Sequence, residues 1–527
     1  GAPVTGSINL AFGGARTDNA ASPPGMRNQL LAYMGGGGTF GANDLVSILG
    51  GANNIFQAFP AAAASPATAQ ATMQTVAMGA ASDINFIVNS VASAGAGTIL
   101  VTNLPRMGIT PQFSASNPLV GPQGSALADF AGTSFNSALS AGLFTVAANN
   151  PNSNIILMDL YKISDTLAGA PGAFGLSNAS DACFNGVTVC SNPDSYLYWD
   201  GVHPTAAGHR LIAALATDYL YYGDVGAHST VQAETAFRQR EDLLDLASEG
   251  LSGRDAWEPG TRITFGALYD SVETDARGVI AEAEAKGWGG RVGLEQTVSG
   301  GLRWGLAGTF RTADVEAGPM AFDLETYALD IYAGWRSGGM FVNATVGGSI
   351  EQFEDITRVT ALAPIVHTGS TNGGSLGARV QAGTWFDMGG VALSPRVAVN
   401  FVSTDVNGYV EQGVAAQYEY QDRTVQSASG EVSLRAEGGG DGMKFWVEGG
   451  YRDSFGDSSD AVRVGIVGNP AQVLERDFGD PFGGSVIASA GIEAPVGPGV
   501  VSFGYRGRFG DAADSHVGAV SFRIPLD

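Results

Sequence analysis

Lysine is almost absent from this 527-residue chain, and its 27 Lys and Arg face 51 Asp and Glu, for a net charge of −24. Nucleic-acid binding needs clustered basic residues to hold phosphate, so this balance argues against a nucleic-acid partner. Such acidity suits a solvent-exposed or secreted protein. No run of about 18 uninterrupted apolar residues occurs, which argues against a helical membrane protein. Cysteine is limited to Cys183 and Cys190, and neither further cysteine nor clustered histidine offers a metal site. No cofactor is therefore expected. Gly1-Ala2-Pro3-Val4 lacks the charged and apolar regions of a signal peptide, so the chain reads as processed or as a fragment.

What is abundant is glycine, 76 residues, while charged residues make up only 15%. Glycine mixed with small and aromatic residues is common where many strands and turns alternate. Cys183 and Cys190 lie in a loop rich in Asn, Gly and Ser. They read as a local disulfide, with two free thiols as the alternative, and a disulfide would place the loop in an oxidising compartment.

Composition and periodicity change near residue 225. Before it, short apolar runs at 8–12, 45–49, 98–102 and 155–158 read as buried strands. Between them, 71–94 and 125–143 carry apolar residues at helical spacing. Strands alternating with helices predict an α/β domain, a mainly parallel sheet covered on both faces. Its active site is expected beyond the carboxyl ends of the strands. Residues 227–249 then form a polar helical run without Gly or Pro, compatible with a solvated linker helix.

After Gly260 the period becomes two. Tyr327, Leu329, Ile331, Ala333 and Trp335 share one face, with Asp330 and Tyr332 on the other. Leu302, Trp304, Leu306 and Phe310 oppose Arg303 and Thr309; Val501, Phe503, Tyr505 and Phe509 oppose Ser502, Arg506 and Arg508. Strands of about ten residues alternating apolar with polar are what a membrane β-barrel requires. Unpaired edges cannot be satisfied in hydrocarbon, so such a sheet closes on itself. The length after Pro259 accommodates about twelve strands. A soluble sandwich or propeller is the competing architecture. Trp304, Trp335 and Trp446 near tract ends favour the membrane.

The chemistry centres on Tyr198-Trp199-Asp200-Gly201-Val202-His203-Pro204-Thr205. A carboxylate three residues before a histidine can hold one imidazole nitrogen while the other faces substrate, the orienting half of a hydrolytic triad. This element resembles the fifth block of the SGNH (GDSL) esterases and lipases, Asp-x-x-His-Pro-Thr. Residues 8–18, Ile-Asn-Leu-Ala-Phe-Gly-Gly-Ala-Arg-Thr-Asp, resemble the second block, and Gly50-Gly51-Ala52-Asn53-Asn54 after the run 45–49 resembles the third. Weaker landmarks are Asn103-Leu104-Pro105 and Ser134-Phe135-Asn136. Gly41-Ala42-Asn43-Asp44 spells the third block literally but precedes a strand, so Asn53 is preferred.

By that resemblance His203 is the general base and acid and Asp200 its orienter. The Gly14 N–H and the Asn53 amide are oxyanion donors. Each residue has a plainer role available: Gly14 as a turn former, Asn53 as a helix cap, Asp200 as a turn residue and His203 as a structural histidine. The family's Gly-Asp-Ser-Leu block precedes the second block. Ser7, the only serine before that point, lacks its context, so the nucleophile is expected upstream of Gly1 and these 527 residues alone are expected to be poorly active.

An SGNH passenger, a helix and a carboxyl-terminal barrel together resemble the esterase autotransporters of Gram-negative bacteria. That resemblance implies an esterase passenger over 1–226, a helix within 227–259 threading the barrel, and a transmembrane barrel over 260–527. It further implies an ester or lipid substrate, contact with outer-membrane lipid, insertion by the barrel-assembly machinery, and an outer-membrane location with the passenger at the cell surface. A non-catalytic passenger such as an adhesin on the same barrel is the alternative.

Overall fold

A computed structural model describes residues 6–254, 257–440, 442–479 and 482–526. The amino-terminal residues 1–5 and residues 255–256 of the expected linker lie outside them.

The first half is a three-stranded parallel sheet, β1 (Leu45–Leu49), β2 (Thr98–Thr102) and β3 (Asn154–Met158), in that order. The β2 and β3 segments, TILVT and NIILM, are almost wholly buried, as expected of parallel strands covered on both faces. Alternate side chains take opposite sides. Ile99, Val101, Ile155 and Leu157 enter one core, together with helices α1 (Met26–Gly35), α2 (Ala52–Ala63), α3 (Ala69–Ser93) and α4 (Gly121–Asn149). Leu100, Ile156 and Met158 enter the other, with α5 (Leu160–Gly169) and α6 (Ala206–Leu220). A small parallel pair, β4 (Asn178–Ala182) and β5 (Tyr196–Tyr198), precedes α6.

The strand expected at 8–12 is not formed: these residues have no sheet partner, and Ile8, Leu10 and Phe12 are exposed. An apolar alternating run becomes a strand only where a neighbour supplies its ladder, and among the described residues none pairs with it.

A short helix α7 (Tyr222–Gly226) leads into α8 (Thr230–Glu249). Twelve antiparallel strands, from Gly260–Thr274 to Ala513–Pro525, then close into a barrel. Closure is completed by pairing of the first with the last, as in Asp270↔Val517. The period-two pattern sets the faces: Tyr327, Leu329, Ile331 and Trp335 point outward, whereas Asp330 and Tyr332 are buried inside. Trp446 departs from expectation. It sits on an inward position between exposed Phe445 and Val447 and lies 4.0 Å from the Arg435 guanidinium carbon, so it is a lumen residue and not part of a lipid-facing belt.

Helix α8 lies inside the barrel and is nearly all buried despite its polar sequence, so it is not a solvated linker. Its acids meet inward barrel arginines: Asp245 lies 2.7 Å from Arg452, 3.1 Å from Arg506 and 3.2 Å from Arg379, while Asp242 lies 2.8 Å from Arg508. Arg240 of the helix pairs in turn with Asp330 of the wall. Buried charges persist only when paired and hydrogen-bonded, and here helix and wall carry opposite signs.

Loops on the passenger side of the barrel add a four-stranded sheet of Tyr409–Val410, Tyr418–Tyr420, Val462–Ile466 and Leu474–Arg476.

Candidate active site

Gly14 sits in a turn closed by the Ala15 N–H donating to the Phe12 carbonyl at 3.2 Å. Its φ of +76° is in the left-handed region that glycine adopts without strain. Among the described residues the Gly14 N–H has no acceptor, so it remains available to a ligand.

Asn53 lies in the first turn of α2, at the carboxyl end of β1. Its Nδ2 donates to the Ala15 carbonyl at 2.9 Å, which ties it to the Gly14 turn and leaves its second N–H free. Asn54 reinforces the same link: its Oδ1 accepts the Thr17 N–H at 3.0 Å and its Nδ2 donates to Thr17 Oγ1 at 3.1 Å. Asn54, which stands where the literal motif at 41–44 has Asp, thus serves local structure. The literal motif at 41–44 is a turn before β1, in which Asp44 Oδ2 accepts the Gly41 N–H at 2.8 Å.

Asp200 and His203 meet directly. The imidazole Nδ1 is 2.8 Å and 3.0 Å from the two carboxylate oxygens. Asp200 Oδ1 also accepts the backbone N–H groups of Val202, at 2.9 Å, and His203, at 2.8 Å. Partial burial pushes the Asp200 carboxyl upward, but these N–H groups and the His203 ring outweigh burial and hold it below its ordinary value. A carboxylate held ionised fixes the Nδ1–H tautomer and leaves Nε2 free. The His203 side chain is 73% exposed, so that nitrogen faces solvent.

The surrounding strand and helix hold this loop. Thr205 caps α6, its Oγ1 accepting the Gly208 N–H at 3.1 Å and donating to the Tyr196 carbonyl at 2.5 Å. The Trp199 N–H donates to the His203 carbonyl at 2.7 Å. Cys183 and Cys190 are joined in a disulfide. The Cys183 N–H donates to the Tyr198 carbonyl at 3.1 Å, and Phe184 stacks on Trp199 at 5.8 Å. The disulfide loop therefore buttresses the Asp200–His203 turn, a link with no signal in the sequence beyond chain proximity.

No hydrogen bond among the described residues joins this turn to Gly14 or Asn53. They are connected through packing: the Gln112 N–H donates to the Gly201 carbonyl at 2.9 Å, and the adjacent Phe113 stacks at 5.3 Å on Phe56, three residues beyond Asn53 on α2. Ser7 is exposed and makes no hydrogen bond to His203. His367 is buried in the barrel and His228 at its mouth, both away from this site.

Residues 2–216 match the GDSL-like Lipase/Acylhydrolase family and residues 264–506 match the Autotransporter beta-domain. The chain thus joins a region similar to the GDSL lipases and acylhydrolases to a region similar to autotransporter beta-domains, the arrangement of an esterase autotransporter. Its relatives include Esterase EstA of Pseudomonas aeruginosa, 25% identical over 460 residues, covering 81% of this chain and 68% of EstA. Esterase EstA of Pseudomonas putida matches to the same extent. Among solved structures, the translocator domain of the autotransporter NalP from Neisseria meningitidis overlays 56% of this chain and 98% of its own, at 14% identity and a TM-score of 0.48. This esterase autotransporter resides in the outer membrane with its passenger at the cell surface, and it is an ester hydrolase.

Proposed function

We propose that the passenger of this esterase autotransporter cleaves carboxylic esters through an acyl-serine intermediate, with Asp200, His203, Gly14 and Asn53 in the site. The observation that carries the reading is the clamped imidazole: Asp200 holds Nδ1, and Nε2 is left exposed.

His203 Nε2 takes the proton of the attacking serine hydroxyl. The resulting tetrahedral oxyanion receives the Gly14 N–H and the free N–H of Asn53 Nδ2, and one such donor is worth about 2.7–4 kcal/mol of barrier. Collapse breaks the ester C–O bond, and His203 returns the proton to the departing alcohol. Water, deprotonated by His203, then attacks the acyl group and releases the acid and the serine. The serine nucleophile of this reading belongs to the family's Gly-Asp-Ser-Leu block, which precedes the second block seen at residues 8–18.

The division into passenger (1–226), linker (227–259) and barrel (260–527) belongs to the same proposal. So do contact of the barrel with outer-membrane lipid and its insertion by the barrel-assembly machinery. The apolar outer face of the strands supports lipid contact.

The test is hydrolysis of p-nitrophenyl acyl esters by the natural protein carrying the upstream block. His203→Ala is expected to abolish it. Full activity in His203→Ala would refute this assignment, and an inactive upstream-extended protein would favour a non-catalytic passenger.

A further inference from the structure

One apolar core crosses the junction between passenger and barrel. The cluster holding Leu100, Ile156 and Met158 of the sheet continues through Leu215 and Tyr219 of α6 and Tyr222 of α7. It ends on Val464 and Ile466 of the loop sheet and on Val231 of α8. A passenger joined to the barrel only by a tether would bury nothing there.

Polar contacts fasten this junction at two places. The first is the outer edge of β3. The Leu157 N–H donates to Asn469 Oδ1 at 3.0 Å, and Asn469 Nδ2 donates to the Leu157 carbonyl at 2.7 Å. One barrel-loop amide thus answers both backbone groups of one residue, as a neighbouring strand would. The Gln472 N–H donates to Asn154 Oδ1 at 3.0 Å, and the Tyr222 hydroxyl donates to the Gln472 carbonyl at 2.5 Å. An exposed strand edge is a site of aggregation unless something covers it, and here the barrel covers it.

The second place is the end of α6. Asp218 is buried; its Oδ1 accepts the Ala361 N–H at 2.9 Å, and its backbone carbonyl accepts the Tyr418 hydroxyl at 2.7 Å. Arg358 Nη1 lies 3.7 Å from Asp218, and the same guanidinium sits 3.6 Å over the Tyr418 ring. Ala361, Arg358 and Tyr418 all belong to the barrel half.

Helix α6 starts directly after Thr205, two residues beyond His203, and Thr205 caps it. A helix transmits displacement along its axis because its hydrogen-bonded turns hold a fixed rise per residue. Where the barrel grips the Asp218 end therefore sets where the Asp200–His203 turn lies.

We propose that the extracellular loops of the barrel are positioning elements of the esterase: Asn469 holds β3 and Tyr418 holds α6, and together they place His203. This rests on the reading of His203 as the general base.

The test uses the full-length protein in detergent micelles, with Asn469→Ala and with Tyr418→Phe, which keeps the ring over Arg358. Amide exchange at Leu157 and along α6, kcat and KM for a p-nitrophenyl ester, and heat-modifiable gel mobility are measured. With mobility unchanged, Leu157 is expected to exchange at least roughly tenfold faster in Asn469→Ala, which removes both of its bonds to Asn469, and α6 to exchange roughly tenfold faster in Tyr418→Phe, which removes one. The positioning role predicts a several-fold fall in kcat at constant KM in both.

Unchanged exchange in both variants overturns the inference whatever the activity. Faster exchange with unchanged kcat also overturns it, because the contacts would then be structural alone. A silent His203→Ala in the same assay refutes the functional reading instead, and the exchange data then decide the clamp by themselves.

Discussion

Replacing Gly51 by alanine is the sharpest probe of how the fold holds the oxyanion side of the site. Gly51 precedes α2 with φ +113°, and an added Cβ would stand 2.5 Å from Phe135 Cε2 and 2.7 Å from Cζ. Phe135 is fully buried in the α4 core and cannot swing aside. Backbone strain at such a φ costs about 1–3 kcal/mol, and overpacking a filled core about 1–3 kcal/mol more. The expected loss is therefore about 2–6 kcal/mol, a large part of the roughly 5–15 kcal/mol that stabilises a domain. Because Asn53 is two residues on, any relief by shifting α2 moves the oxyanion donor, and a displacement of about 1 Å can cost about a hundredfold in rate. Urea unfolding followed by helical circular dichroism reads the passenger, since the barrel contributes β signal. Adding Phe135→Leu should recover the overpacking part and leave the strain. A Gly51→Ala midpoint equal to the parent's, or no recovery with Phe135→Leu, would show that the packing account is wrong.

Asp200→Asn should lower kcat by roughly ten-thousandfold with little change in KM, because the amide no longer fixes the reactive tautomer; steady-state kinetics on a p-nitrophenyl ester measure it. The Asp200 carboxyl is held down in the folded state, so its contribution to stability is present above the ordinary aspartate range and is lost as pH falls through the lowered value. A carbon-detected titration should place its midpoint below that of an exposed aspartate, and His203→Ala should move the midpoint upward. Reducing the Cys183–Cys190 bridge, or replacing both residues by serine, should cost about 2–3 kcal/mol for so short a loop. The loss should appear first as faster amide exchange at Trp199 and His203, which the bridged loop supports.

Much of the architecture was readable in the residue pattern because it depends on local period. Alternation of Tyr327, Leu329 and Ile331 with Asp330 and Tyr332 required a strand with one face outward and one inside the barrel. The runs at 98–102 and 155–158 required buried parallel strands, whereas the run at 45–49, also expected to be buried, forms the edge strand β1 with Leu45 and Leu49 exposed and only Ile48 buried, because no strand among the described residues covers its far side. The Asp200–His203 pair was legible for the same reason: its partners are three residues apart, and a single turn brings them together.

What the sequence determined alone, then, was most of the elements and the local pairings within them, because those rest on spacing along the chain. Only the tertiary structure decided which surfaces meet. Residues 8–12 carry a strand's pattern yet lack a strand's partner. Trp446 has the composition of a membrane belt but the parity of a lumen position, stacked on Arg435. Helix α8 looks solvated by composition, and its acids are buried because arginines from strands far along the chain converge on them. Asn469 and Leu157 lie 312 positions apart, so no local rule could have joined them. Long-range pairing depends on where whole elements pack, and that geometry is settled only when the barrel closes and the passenger seats on its mouth.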